Sequence, residues 1–321
     1  MKLVNFSVIN YRSITAAHRI AFSNVTVLIG KNNEGKSNLL RALETAMRLL
    51  LLHANSGIPS RRTFSREDSA YVWKRDFPIL LQGRRAATQT ILKLEFLLDE
   101  SELQEFKNEI GSNLNGSLPL EIKIGKDHEP QIRLVKSGKG TKTLTAKSAV
   151  IAKFIAKRIH FNYIPAIRTD SSTIELIGSM LSQELRSLEG NRNYIDAMDT
   201  ITKLQQPILN ELAERVQGPL QEFLPNIKSV KIEISDQSRR VSLRRDISVI
   251  VDDGTPTSIE HKGDGVKSLA ALGLLKSQNA RVGASVLAIE EPESHLHPAA
   301  IHQVNEIIQS IANNSQVIIT A

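Results

Sequence analysis

The chain has 321 residues, with 41 Lys plus Arg against 34 Asp plus Glu, a net charge of +7, 41% hydrophobic residues and no cysteine. That length buries a substantial core in one large or two ordinary domains, and the apolar share excludes an intrinsically disordered chain. The missing cysteines exclude disulfides and thiolate–zinc sites, no apolar run approaches the roughly 20 residues that span a bilayer, and the N-terminus lacks the apolar stretch of a signal peptide.

In chain order, residues 2–29 alternate in strand fashion, through Leu3, Phe6, Val8 and Ile9, then Ile20 and Phe22, then the apolar run Val25–Ile29. The run feeds Gly30, Lys31, Asn32, Asn33, Glu34, Gly35, Lys36 and Ser37, a complete G-x-x-x-x-G-K-[ST] phosphate loop, and a Leu/Ala-rich helix is expected from Asn38 to Leu52. Gly30 and Gly35 let the backbone curl so that its N–H groups face a phosphate chain. Lys36 reaches the β- and γ-phosphates, and Ser37 offers its hydroxyl to Mg²⁺. The helix start adds a dipole that favours anions. Four fixed positions of this kind arise by chance in roughly one chain per hundred of this length. The strand before and the helix after narrow that further, so the pattern reads as a nucleoside triphosphate site.

Residues 54–87 are polar and basic and read as a long exposed loop. A strand follows over Thr88–Leu98, an acidic helix over Asp99–Ile110, short antiparallel strands at Leu118–Ile124 and Gln131–Val135, a basic helix over 146–158 and a buried strand over Arg158–Ile164. From Ser172 to about Leu224 the pattern is helical, with breaks expected at Gly190, Pro207 and Gly218-Pro219. Strands are expected again at Lys228–Ile234, Val241–Val251 and Ser258–Glu260. A glycine turn with a helix (Gly263–Ser277), a strand (Ser285–Ile289), a helix (Pro298–Ala312) and a strand (Gln316–Ile319) complete the order. This is an α/β core at both sequence ends: residues 1–171 carry the phosphate loop and a β lobe, 172–224 an inserted helical arm, and 225–321 the remaining core. Because Ala321 directly follows a core strand, the polypeptide is expected to continue beyond it.

Two further motifs carry chemistry. Val286–Glu291 is an apolar strand ending in two carboxylates. A buried parallel strand delivers its C-terminal edge beside the phosphate loop, so Glu290 is assigned to Mg²⁺ and Glu291 to the attacking water as general base. The run to His297 could also be read as a Glu/His metal cluster, but Pro292 and Pro298 favour a turn and then a helix start. Lys262, Gly263, Asp264 and Gly265 precede an Ala/Leu helix and form a second anion-binding helix start. One nucleotide rarely needs both sites from one subunit, so a head-to-tail pair is expected, this turn capping the γ-phosphate held by the other protomer. Basic doublets recur at Arg61-Arg62, Lys74-Arg75, Arg84-Arg85, Arg239-Arg240 and Arg244-Arg245; they suit a polyanion or are solvated surface charge. Aromatics at 4% argue against a stacking platform for single strands, which leaves duplex backbone contact.

In their order along the chain these motifs resemble the ABC-type ATPase head shared by SMC and RecF proteins, and more closely the OLD (overcoming lysogenization defect) family. Val8–Ser13 is similar to that group's first strand, whose Arg-Ser pair approaches the phosphates, which implies a nucleotide contact for Arg12. Ile289–His297 resembles its Walker B and D-loop, and Tyr163–Arg168 the segment at the Q-loop position. Asn38 and the loop residues follow the same pattern. The resemblance runs over most of 1–53 and 158–321; Lys262 stands where the ABC signature carries serine. It implies an ATP- and Mg²⁺-dependent ATPase that dimerises around ATP, assembles as a homodimer or higher homo-oligomer, and controls DNA processing in antiviral defence. The arm is then a dimerisation element. The family's Toprim nuclease motifs are not found in residues 1–321, so nuclease activity is expected in a following segment or a nuclease or toxin partner chain. Alternatives are a RecF-like DNA clamp without nuclease and an ATP-dependent scaffold or sensor for a protein effector. A cytoplasmic location follows from the ATP site and the missing export signal.

Overall fold

The computed structural model describes the chain except for residues 32–34, 55–68, 84–88, 136–140, 166–169, 225, 227, 245–246, 280–284 and 294–297. The strands are β1 (Lys2–Tyr11), β2 (Ile14–Ala21), β3 (Val25–Leu28), β4 (Thr90–Leu97), β5 (Ser117–Ile124), β6 (Gln131–Leu134), β7 (His160–Ile164), β8 (Ile250–Asp252), β9 (Pro256–Ser258), β10 (Ser285–Glu290) and β11 (Gln316–Thr320). The α-helices are α1 (Lys36–Ala54), α2 (Trp73–Asp76), α3 (Glu100–Ile110), α4 (Thr141–Ala146), α5 (Ser148–Ala156), α6 (Asp170–Leu185), α7 (Arg192–Phe223), α8 (Asp236–Ser242), α9 (Asp264–Asn279) and α10 (Pro298–Ala312).

Two sheets organise residues 1–170 and 264–321, which form one compact unit. The first is antiparallel, in the order β2-β1-β4-β5-β6, and the second is parallel, in the order β3-β11-β10-β7. Alternation along β4 buries Thr90, Leu92, Leu94 and Phe96 on one face, as period-2 patterning requires. Both β10 and β11 are buried at every residue, as expected of a parallel strand covered on both sides. Helix α1 buries Leu39, Leu40, Leu43, Ala46, Met47 and Leu50, a stripe at helical spacing, against this core. Each such leucine contributes about 1.5–3 kcal/mol of burial. Asp99 and Glu102 close a capping box on α3, and Gly111 ends it in the left-handed region at φ 71°.

The two sheets are stitched by one side chain. Gln316 opens β11, accepts from the Leu3 amide at 2.7 Å through Oε1 and donates through Nε2 to the Leu3 carbonyl at 2.8 Å. It thus completes the backbone pairing of β1 where that strand meets the parallel sheet.

Residues 171–263 form the second unit. It holds most of α6, then α7, α8 and the β8–β9 hairpin. Helix α7 runs through Pro207 and Pro219 without interruption, so the breaks expected there do not occur. A proline removes one hydrogen bond and bends a helix; it need not end it. The strands expected at 228–234 and 241–251 are replaced by irregular chain, α8 and the three-residue β8. The overlooked signal is an N-cap: the Ser235 hydroxyl accepts from the Ser238 amide at 3.1 Å, and Asp236 supplies the first-turn acid.

The stretch 54–87, expected as exposed loop, contains a buried knot. Ala70, Tyr71, Trp73, Asp76 and Phe77 are buried, and the Trp73 and Phe77 rings stack with centroids 3.9 Å apart. At its centre Asp76 is wholly buried. It accepts from Arg12 Nε and Nη2 at 3.0 and 2.9 Å, Arg75 Nε and Nη2 at 3.0 and 2.8 Å, and the Val72 amide at 2.9 Å. Burial alone would raise the Asp76 pKa; Arg75, the Val72 amide and Arg12 together overrule it and hold the carboxyl below its ordinary range.

Two outcomes follow for stability. Replacing Gln316 with Ala should cost about 2 kcal/mol in urea unfolding, since the Leu3 amide and carbonyl lose their buried partners. Replacing Asp76 with Asn should cost about 3–5 kcal/mol at neutral pH, because two guanidiniums lose their counter-charge. A depressed folded pKa stabilises above the unfolded value and ceases to do so as pH falls through the folded one. The gap between wild type and Asp76→Asn should therefore be full above about pH 5 and narrow steadily below about pH 4.

Candidate nucleotide-binding site

The parallel register brings the separated motifs to one edge. Leu28 of β3 lies level with Thr320 of β11, and Thr320 with Glu290 of β10. Two strand spacings separate Leu28 from Glu290, about 10 Å. All four strands run the same way, so the loop after β3, the acids ending β10 and the end of β7 open on one side of the sheet. Strand β11 holds the edge together on both flanks: the Ala321 amide donates to the Leu28 carbonyl at 3.1 Å and the Glu291 amide to the Thr320 carbonyl at 3.0 Å.

Of the phosphate-loop glycines, Gly35 takes a left-handed backbone. Gly35 sits at φ +92°, and a Cβ there would lie 3.4 Å from Ser13 Oγ. The left-handed φ, rather than lack of space, favours glycine at position 35. Lys36 opens α1, and its ammonium donates to the carbonyls of Gly30 and, at 3.2 Å, Lys31. The cation is thus curled over the loop. Ser37 is half-buried in the first turn, and Asn38 donates from Nδ2 to Ser13 Oγ at 2.8 Å, which ties the β1–β2 turn to the loop. Asn32, Asn33 and Glu34 lie outside the described residues.

Arg12 occupies that same turn, at φ 48°. Its guanidinium is engaged side-on by Asp76 and its amide donates to the Asp76 carbonyl at 2.7 Å. Asp76 is a residue that the sequence reading missed. The aromatic spacing Tyr71, Trp73, Phe77 was the available signal for a buried segment there.

At the acid end, Glu290 is 5% exposed and Glu291 is half-buried at φ 44°, a left-handed turn that re-aims the chain as it leaves the strand. The Tyr163 hydroxyl faces Glu290, and the Arg41 guanidinium lies 5.8 Å from the Tyr163 ring centroid. Burial, then the Glu290 charge, push the Tyr163 phenol well above its ordinary pKa, so it stays protonated. A carboxylate withdrawn from water needs a cation or donors around it. The donor set here — a buried carboxylate on one strand end and a hydroxyl on the neighbouring helix start — suits Mg²⁺.

The second anion turn is a different matter. Asp264 and Gly265 open α9, and a Cβ on Gly263 would meet nothing within 4 Å. The Lys262 ammonium is engaged by Asp253 Oδ1 at 2.5 Å and the Thr255 carbonyl at 3.2 Å. Several members of the basic doublets also pair with acids. Arg75 meets Asp76, Arg239 meets Asp236 and Gln205, and Arg244 and Arg240 meet Glu189. Arg61, Arg62, Arg84, Arg85, Arg245, His295 and His297 lie outside the described residues. Among the described residues there is no cluster of three or more metal-ligating side chains, and no helix is long and apolar enough to cross a membrane.

Comparison with known proteins finds two family matches and several solved structures. Residues 1–113 match the family described as "AAA ATPase domain", and residues 170–320 the family described as "AAA domain, putative AbiEii toxin, Type IV TA system". No curated protein matches the chain. Among solved structures, an SMC head bound to the C-terminal winged-helix domain of ScpA superposes with a TM-score of 0.51 at 13% identity, over 100% of this chain and 90% of that one. An SMC head with an extended coiled coil, bound to the C-terminal domain of ScpA from Pyrococcus furiosus, gives 0.44 at 12% identity over 99% and 89%. The SMC head of Thermotoga maritima gives 0.40 at 15% identity over 100% and 89%. The chain thus matches AAA-type ATPase sequence families towards both ends and has a fold similar to that of an SMC head.

Proposed function

We propose that this protein binds and hydrolyses ATP with Mg²⁺ as an OLD-type head that dimerises around the nucleotide. The observation that carries the reading is the level register of Leu28, Thr320 and Glu290, which sets the phosphate loop and the acid pair on one sheet edge. Lys36 leaves the Gly30 and Lys31 carbonyls for the β- and γ-phosphates, and backbone N–H groups of the loop hold the chain of phosphates in line. Ser37 and Glu290 would hold Mg²⁺, which when bound neutralises charge on the phosphate oxygens. Glu291, turned out of the strand by its left-handed backbone, orients water and accepts its proton. The open backbone at Gly263 and the start of α9 suit approach to a γ-phosphate held by another protomer. Lys262 must first part from Asp253 to join that contact.

The output we favour is control of DNA processing in defence against phage. Net charge of +7 and the toxin wording of the family matched by residues 170–320 support it. A second reading, an ATP-driven scaffold or sensor for a protein effector, is favoured by the pairing of Arg75, Arg239, Arg240 and Arg244 with acids, which leaves fewer unpaired cations for a duplex. Steep salt dependence of duplex binding supports the first reading; effector binding that survives neutralisation of the basic doublets supports the second.

Replacing Glu291 with Gln should slow ATP turnover by at least about 100-fold while ATP stays bound and the dimer persists in size-exclusion chromatography. Turnover at the wild-type rate in that variant removes Glu291 from the mechanism.

A further inference from the structure

Tyr163 of β7 is level with Ala288 of β10. Glu290, two residues further along β10, therefore projects from the same face of the sheet as Tyr163. Helix α1 lies against β7 here: Arg41, one turn after Ser37, brings its guanidinium within 5.8 Å of the Tyr163 ring centroid, inside the range of a cation–π contact. The phenol oxygen is shut off from solvent and makes no hydrogen bond of good geometry, although it faces the Glu290 carboxylate. A buried donor left in that state is costly unless some other arrangement of the site satisfies it.

We propose that Tyr163 is a positioning residue for the metal-holding carboxylate. Its hydroxyl donates to one Glu290 oxygen when the other turns to Mg²⁺, and Arg41 fixes the ring that carries the hydroxyl. A phenol suits this role because it donates a proton without adding a positive charge that would compete with the metal. The assignment rests on the reading of Glu290 as the Mg²⁺ carboxylate. It links the first turns of α1, through Arg41, to the acid edge of the sheet.

The test is Tyr163→Phe, which keeps the ring under Arg41 and removes only the hydroxyl. Mn²⁺ binding is followed by electron paramagnetic resonance in the presence of a non-hydrolysable ATP analogue, and analogue binding is measured separately without metal. Mn²⁺ half-saturation should rise roughly tenfold, with metal-free analogue affinity and the thermal midpoint unchanged. In a Glu290→Gln background the same substitution should have no further effect on Mn²⁺. Unchanged Mn²⁺ affinity in Tyr163→Phe overturns the assignment of Tyr163 alone. Failure of the wild-type protein to bind Mn²⁺ with the analogue overturns both it and the role of Glu290.

Discussion

The juxtaposition of the motifs at the candidate site depends on the place of one strand. β11 lies between β3 and β10 and pairs in parallel with both. Without it the phosphate loop and the acid pair would have no common reference, since they are joined by most of the chain. With it, two ladders of backbone hydrogen bonds fix the spacing between Leu28 and Glu290. Gln316, at the start of the same strand, also holds the antiparallel lobe through Leu3. One five-residue segment therefore sets the edge of the candidate site at its C-terminal end and ties β1 to the parallel sheet at its N-terminal end.

The electrostatics of the edge follow from that arrangement. Charged groups near the site have polar partners: Lys36 meets loop carbonyls, Arg12 meets Asp76, and Glu290 faces the phenol of Tyr163. The carbonyl partners of Lys36 are neutral, and phosphate oxygens would replace them around the ammonium. In the proposed mechanism nucleotide binding is such an exchange, in which Lys36 moves from carbonyl oxygens to phosphate oxygens while the carboxylate keeps a fixed orientation. The Arg12–Asp76–Arg75 knot stays as a buried buttress behind the β1–β2 turn, which in turn supports the loop through Ser13 and Asn38.

Much of this was legible in the sequence, for identifiable reasons. The phosphate loop, the apolar strand ending in Glu290 and Glu291, and the helix Pro298–Ala312 are local patterns, and local patterns survive in one dimension. Strand order is not local. Nothing in the composition of β11 says that it lies between β3 and β10, and nothing near Tyr163 says that it faces Glu290. The Asp76 knot was hidden because its partner Arg12 is distant in the chain and the segment before it is rich in polar residues. Helix α8 was missed because short alternating polar runs imitate a strand, while the Ser235 cap that decides the outcome is a single residue. Prolines 207 and 219 were given too much weight, since a long helix tolerates the loss of single hydrogen bonds.

The most direct measurement of the central claim is titration calorimetry of Mg·ATP into the wild-type protein and into Lys36→Ala. The account predicts saturable heat at one nucleotide per chain for the wild type and none for the variant. No heat from the wild type, or the same heat from both proteins, would contradict it.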